Sequence, residues 1–160
     1  MRKFRLRKAR LSDCERIWRW RNEKEVRHLS FDPRKISYAA HKVWFKERLA
    51  DPKSRVLIAE NNQGRAFGQA RIDFSKKGVG EIHIFLTRAY RNKGFGSLLL
   101  RQACQHCFRQ LKLKKIIARA KMDNHRSLKV FRKVGFRNTK KVRIKGFPTQ
   151  IMILTRLFSK

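Results

Sequence analysis

The sequence predicts one α/β domain in which strands and helices alternate, and three observations lead there. Glu81-Ile82-His83-Ile84-Phe85-Leu86 reads as a strand, and the glycine turn Arg91-Asn92-Lys93-Gly94-Phe95-Gly96-Ser97 carries the chain into an apolar-periodic segment, Leu98 to Leu111. A second strand and helix, Lys115 to Ala120 and Asn124 to Val134, repeat that alternation. No repeat, low-complexity tract or Pro/Gly/Ser linker divides the 160 residues, and a chain of this length buries about 70% of its unfolded surface in a single core.

Taken in order, Lys3 to Arg10 reads as the first strand, and Ser12-Asp13 is a good helix N-cap before Cys14 to Arg21. A second helix is expected from about Ser37 to Ala50. Arg55 to Glu60, the turn Asn61-Asn62-Gln63-Gly64 and Ala66 to Phe74 read as a hairpin. The fourth strand follows Gly78-Val79-Gly80, and after the two strand–helix pairs the last strands are expected at Arg137 to Ile144 and Thr149 to Leu157.

The formal net charge is +32, from 43 Lys and Arg against 11 Asp and Glu. Such a surface either attracts nucleic acid, anionic lipid or a phosphate-bearing substrate, or is simply a solvated basic exterior. The basic N-terminus precedes no apolar stretch, and no run reaches the roughly 20 residues a bilayer requires, so a cytoplasmic protein without a membrane span is expected. Cys14, Cys104 and Cys107 form no plausible disulfide framework, and the C-x-x-C pair lies in an apolar helical stripe with no second ligand pair. No metal is expected.

The glycine turn is an anion cradle. Gly94 and Gly96 let backbone N–H groups approach a phosphate, and the first helical turn adds the positive end of its dipole. A Walker loop would need Gly-Lys-Ser/Thr where Gly96-Ser97-Leu98 stands, and a dinucleotide fingerprint would need a small residue at Leu99. Arg91-Asn92-Lys93-Gly94-Phe95-Gly96 instead resembles the acetyl-coenzyme A loop of the GCN5-related N-acetyltransferases (GNAT). Asn124-His125-Arg126-Ser127, then Phe131 and Gly135-Phe136, is similar to the same family's second motif.

That resemblance implies the order βααβββαβαββ, a mixed sheet splayed between strands four and five, about four helices, and a coenzyme arm entering the splay. It assigns coenzyme contacts to Phe85, Leu86, Arg91, Asn92, Lys93, Gly94, Phe95, Gly96, Ser97, Asn124, Ser127 and Phe131. Backbone N–H groups near Phe85 and Leu86 would hold the thioester oxygen. The family often has Tyr at the position of Phe131, and a phenyl ring cannot protonate a leaving thiolate. Tyr90, Ser127, water or unassisted departure remain open.

Strand alternation puts Glu81, His83 and Phe85 on one face and Ile82, Ile84 and Leu86 on the other. Glu81 and His83 are the catalytic candidates, with Glu81 either a general base or an ion-pair member and His83 a proton carrier or a structural histidine. For the acceptor, Trp20, Phe31 and Trp44 offer stacking surfaces, Arg27 and Arg71 paired donors for a diphosphate, and Asn22 and His41 hydrogen bonds. The N-terminal half resembles the pseudaminic-acid-type enzymes, which implies acetylation of the 4-amino group of a UDP-linked amino-deoxy sugar by a monomer or homodimer. Acetylation of a protein N-terminus or lysine is an alternative. So is a non-catalytic nucleic-acid-binding module on the same fold.

Overall fold

A computed structural model describes residues 4–75 and 77–156. Seven strands make one sheet: β1 (Arg5–Lys8), β2 (Ser54–Glu60), β3 (Ala66–Phe74), β4 (Val79–Leu86), β5 (Lys115–Lys121), β6 (Arg137–Ile144) and β7 (Phe147–Thr155). Their order is β1-β2-β3-β4-β5-β7-β6. The contact between β4 and β5 is parallel and every other neighbouring pair is antiparallel. The expected ends Lys3 and Leu157 lie outside the described residues.

The helices are α1 (Cys14–Asn22), α2 (Lys24–Leu29), α3 (Tyr38–Ala50), α4 (Phe95–Arg109) and α5 (His125–Val134). The short α2 is one more than the sequence predicts. α4 begins three residues earlier than Leu98, because Gly94 takes a left-handed φ of 81° and caps the helix inside the glycine turn. Ser37 caps α3 by accepting from the Ala40 N–H at 3.2 Å, and Asn124 caps α5 by accepting from the Ser127 N–H at 3.1 Å.

Asp13 holds the N-cap position of α1 as expected, but it ends a 3₁₀ turn, is 1% exposed, and its side chain makes no cap bond to α1. Its carboxylate accepts from Arg7 at 2.7 and 2.9 Å, from the Arg10 N–H at 2.8 Å and from Arg16 at 2.9 Å. Arg7 also donates to Glu60 on β2. Burial alone would raise the Asp13 carboxyl pKa, but these hydrogen bonds and the nearby arginine charges hold it below the ordinary value.

Alternation along the strands divides the core in two. Ile82, Ile72, Ala118 and Met152 pack with Leu99, Leu100 and Ala103 of α4 and with Leu128 and Phe131 of α5. On the opposite face Val56 and Ile58 pack with Ile17 and Trp20 of α1 and Phe45 of α3. Fully buried side chains such as Phe45 and Ile58 each contribute about 1.5–3 kcal/mol to folding.

The β4–β5 pairing is short: Val79 faces Lys115, Gly80 faces Ile116, and Glu81 faces Ile117. Beyond Glu81 the two strands run on unpaired, and the sheet splays where the sequence predicts. Gly80 permits the seam, since a Cβ there would lie 2.6 Å from the Leu113 Cδ1. No helix among the described residues is long and apolar enough to cross a membrane.

Candidate active site

Where β4 and β5 part, a cavity of about 590 Å³ opens. Its walls are Ile82 to Leu86 of β4, the glycine turn, Ala120 and Lys121 at the end of β5, one face of α5, and α2 with Ser30 and Phe31 after it. The backbone of β4 supplies polar groups to this space. The Thr87 N–H bonds Phe67 on β3, which turns odd-numbered peptide groups toward β3, while the Leu86 carbonyl accepts from Arg91 Nε at 2.8 Å on the opposite side. Alternation therefore turns the N–H groups of Ile84 and Leu86 to the cavity and that of Phe85 away from it.

The residues at the other end fit a pyrophosphate-bearing coenzyme. Asn92 and Gly94 both have positive φ, 58° and 81°, and the first-turn N–H groups of α4 have no partner within the helix. Gly96 has room for no more than ordinary contact: a Cβ would sit 3.4 Å from Val130. Arg126, Lys129 and Lys133 line the same mouth from α5.

Arg91 is tied to its own chain. It donates to Leu86 O, reaches Glu25 at 2.7 Å and Glu23 at 3.1 Å, and lies 5.5 Å from the Phe85 ring centre. Glu25 also accepts from Arg126 at 2.6 Å, so α2 is clasped to the glycine turn and to α5. Lys93 is exposed at the turn's apex, and Phe95 points into the core against Phe67 and Tyr90.

Glu81 and His83 share one face of β4, their side chains 3.5 Å apart, and the other oxygen of Glu81 lies 3.3 Å from Arg119. Burial raises the Glu81 carboxyl pKa above the ordinary value even though Arg119 and Arg71 pull it down. Burial also lowers the His83 imidazole pKa, and the positive charge of Arg71 lowers it further. At neutral pH the His83 imidazole is neutral.

The acceptor candidates divide. Phe31 lines the cavity. Arg71 sits opposite His83 across the β3–β4 ladder, 3.0 Å from Asp73 and 5.5 Å from the ring centre of Trp44. Trp20 is buried and stacks on Phe85 at 5.0 Å, backing the wall from behind. Asn22 uses both ends of its amide on the backbone of Ile36, and Arg27 binds the carbonyls of Asn22 and Pro33. His41 is 2% exposed and stacks on Phe45. Asn22, Arg27 and His41 are outside the cavity lining, and Trp20 lies one layer behind it.

Of the proton-donor candidates, Ser127 lines the cavity, whereas the Tyr90 hydroxyl accepts from Asn61 at 3.0 Å outside it. Phe131 is buried against Phe136 with one edge on the cavity. Cys104 and Cys107 are buried on the inner side of α4, and burial raises both thiols, Cys107 up to about 12. The residues that the sequence reading missed are Glu25, Leu29 and Ser30 around α2, and Arg119 and Lys121 on β5. Alternation along Ile117-Arg119-Lys121 could have marked the last two; nothing in the sequence marks α2.

The acetyltransferase (GNAT) domain family matches residues 3–137, and the chain belongs to it. It is an acetyltransferase, and the donor of this family is acetyl-coenzyme A. The fold is similar to that of spermidine N-acetyltransferase from Vibrio cholerae, crystallised with CoA and spermine, at 18% identity, a TM-score of 0.86 and 95% coverage of each chain. It is also similar to the aminoglycoside acetyltransferase AAC(6′)-Ib in complex with coenzyme A, at 22% identity and a TM-score of 0.82, covering 96% of this chain and 95% of that one. No curated protein matches the sequence.

Proposed function

We propose that the protein moves an acetyl group directly from acetyl-coenzyme A to a primary amine carried by an anionic acceptor, the 4-amino group of a UDP-linked amino-deoxy sugar. The observation that carries this reading is the Glu81–His83 pair at the open seam, flanked by Arg71 and Arg119. The coenzyme supplies the activated acetyl thioester. Everything else comes from this chain.

An attacking amine must be neutral, and Glu81, with its raised pKa, is suited to take its proton directly or through the neutral His83. The N–H groups of Ile84 and Leu86 face the space where charge develops on a carbonyl oxygen, and hydrogen-bond donors fixed there lower the barrier. Direct transfer is supported by the cysteines: both α4 thiols are buried and outside the cavity lining.

Both named neighbours act on polycationic amines, as their names state. A polycation would need unpaired carboxylates on the acceptor wall. Here Glu81 is paired with Arg119, Asp73 with Arg48 and Arg71, and Glu25 with Arg91 and Arg126. Charge therefore favours an anionic acceptor. The test is thiol release from acetyl-coenzyme A with a UDP-4-amino-4,6-dideoxy sugar, spermidine, an aminoglycoside and N-terminal peptides run in parallel. Fast release with the nucleotide sugar is expected; release with spermidine or peptides alone would overturn the acceptor assignment.

A further inference from the structure

Lys121 ends β5 on the same strand face as Arg119 and lines the cavity. It is 4% exposed. Its ammonium donates to the His28 carbonyl at 2.9 Å and sits 3.4 Å from the centre of the Phe147 ring. Among the described residues no carboxylate is in salt-bridge contact with it: Glu81 is taken by Arg119 and Glu25 by Arg91 and Arg126, and Asp123 acts on it only from farther away. A buried charge is normally paired, and an ammonium has three donors, of which His28 uses one. The wall of the cavity thus holds a buried cation with no carboxylate in contact with it.

We infer that Lys121 is the anion subsite of the acceptor, receiving a phosphate oxygen of the acceptor's diphosphate while the amine lies toward Glu81 and His83. This rests on the anionic-acceptor reading and gives it a residue. Lys121 lies on β5 with Arg119, across the splay from the acceptor-side face of β4, and touches α2 through His28. The same ammonium repels a polyamine or an aminoglycoside entering by that wall. Lys121 is a specificity residue, and the acetyl transfer itself proceeds without it.

The experiment compares the wild type with Lys121→Met, which keeps the chain length and apolar stem, and with Lys121→Arg, which keeps the charge. UDP is first titrated by calorimetry into protein saturated with coenzyme A, so that the coenzyme's own phosphate site is filled. Loss of a charge-assisted hydrogen bond should weaken UDP binding by about tenfold or more in Lys121→Met, and Lys121→Arg should restore most of it. In turnover, KM for the UDP-amino sugar should rise by a similar factor with kcat changed little, while the same amino sugar without its nucleotide is unaffected.

Unchanged UDP binding and KM in Lys121→Met would overturn the inference. So would an equal rise in KM for the sugar with and without nucleotide, which is the signature of a displaced α2. A fall confined to kcat, with altered pH dependence, would make Lys121 a proton donor instead. UDP binding that depends on Lys121 without turnover of the nucleotide sugar would keep the subsite and reject the proposed reaction. Turnover indifferent to Lys121 would do the reverse.

Discussion

The chain up to Glu81 and the chain after it are two different electrostatic objects. Ten of the 11 acidic residues lie at or before Glu81, leaving only Asp123 beyond it, while 21 of the 43 Lys and Arg lie in that second stretch. The first region uses its acids internally: Asp13 and Glu60 gather Arg5, Arg7 and Arg16, and Asp73 holds Arg48 and Arg71. Ion pairs that reach into the second region come from Glu23, Glu25 and Glu81, of which Glu25 lines the cavity. The lesson is one of distribution: the first region, with 22 Lys and Arg, ties most of its ten acids into specific pairs, and the second is left almost without acids of its own.

The hardest way to break that contrast is at its buried clasp. Asp13→Ala removes the anion that anchors Arg7 and Arg16, and loss of one partner of a buried pair should cost about 3–5 kcal/mol in urea unfolding. With Asp13 held below its ordinary pKa, its stabilisation is fully present above about pH 3.9 and is lost as pH falls through the lowered folded value. Acid unfolding of the wild type should show that loss, and Asp13→Ala should not.

On the positive side, Gly94→Glu places a side chain in a left-handed conformation and a carboxylate against a phosphate site. Coenzyme A binding, measured by calorimetry, should fall by roughly a thousandfold, with a stability loss of about 1–2 kcal/mol from the left-handed backbone. At the junction, Glu81→Gln should lower kcat/KM by about a hundredfold. In the wild type the rate should fall as pH drops through the raised Glu81 pKa, and that limb should vanish in the variant. A His83 resonance followed by NMR should titrate below the ordinary value of about 6.5.

The smallest effect belongs to the half-exposed clasp. Glu25→Gln loosens Arg91 and Arg126 but should change stability by less than about 1 kcal/mol. A larger loss would mean that α2, not the core beneath it, holds the two regions together.

Much of this was legible because it rests on local rules. The glycine turn and the alternation of Glu81 and His83 depend on neighbours only a few residues away. α2 was not legible, since Lys24–Leu29 is too short for periodicity and is held by Arg91 and Arg126 from much later in the chain. Asn22 and His41 looked like donors to a ligand because sequence gives their chemistry without their partners, Ile36 and Phe45. Lys121 was passed over among the many basic residues: strand alternation puts it on the face of Arg119, but its burial is what sets it apart.

The three-residue seam between β4 and β5 also makes the protein a tool with two jaws on a short hinge. Val79, Gly80 and Glu81 are its only strand-to-strand rivets to Lys115, Ile116 and Ile117 among the described residues. Any ligand that touches both jaws acts as a brace. Bound at a hundred times its Kd, such a ligand adds about 2.7 kcal/mol to folding, and slowed amide exchange at Ile116 and Ile117 would report how firmly the brace has closed the hinge.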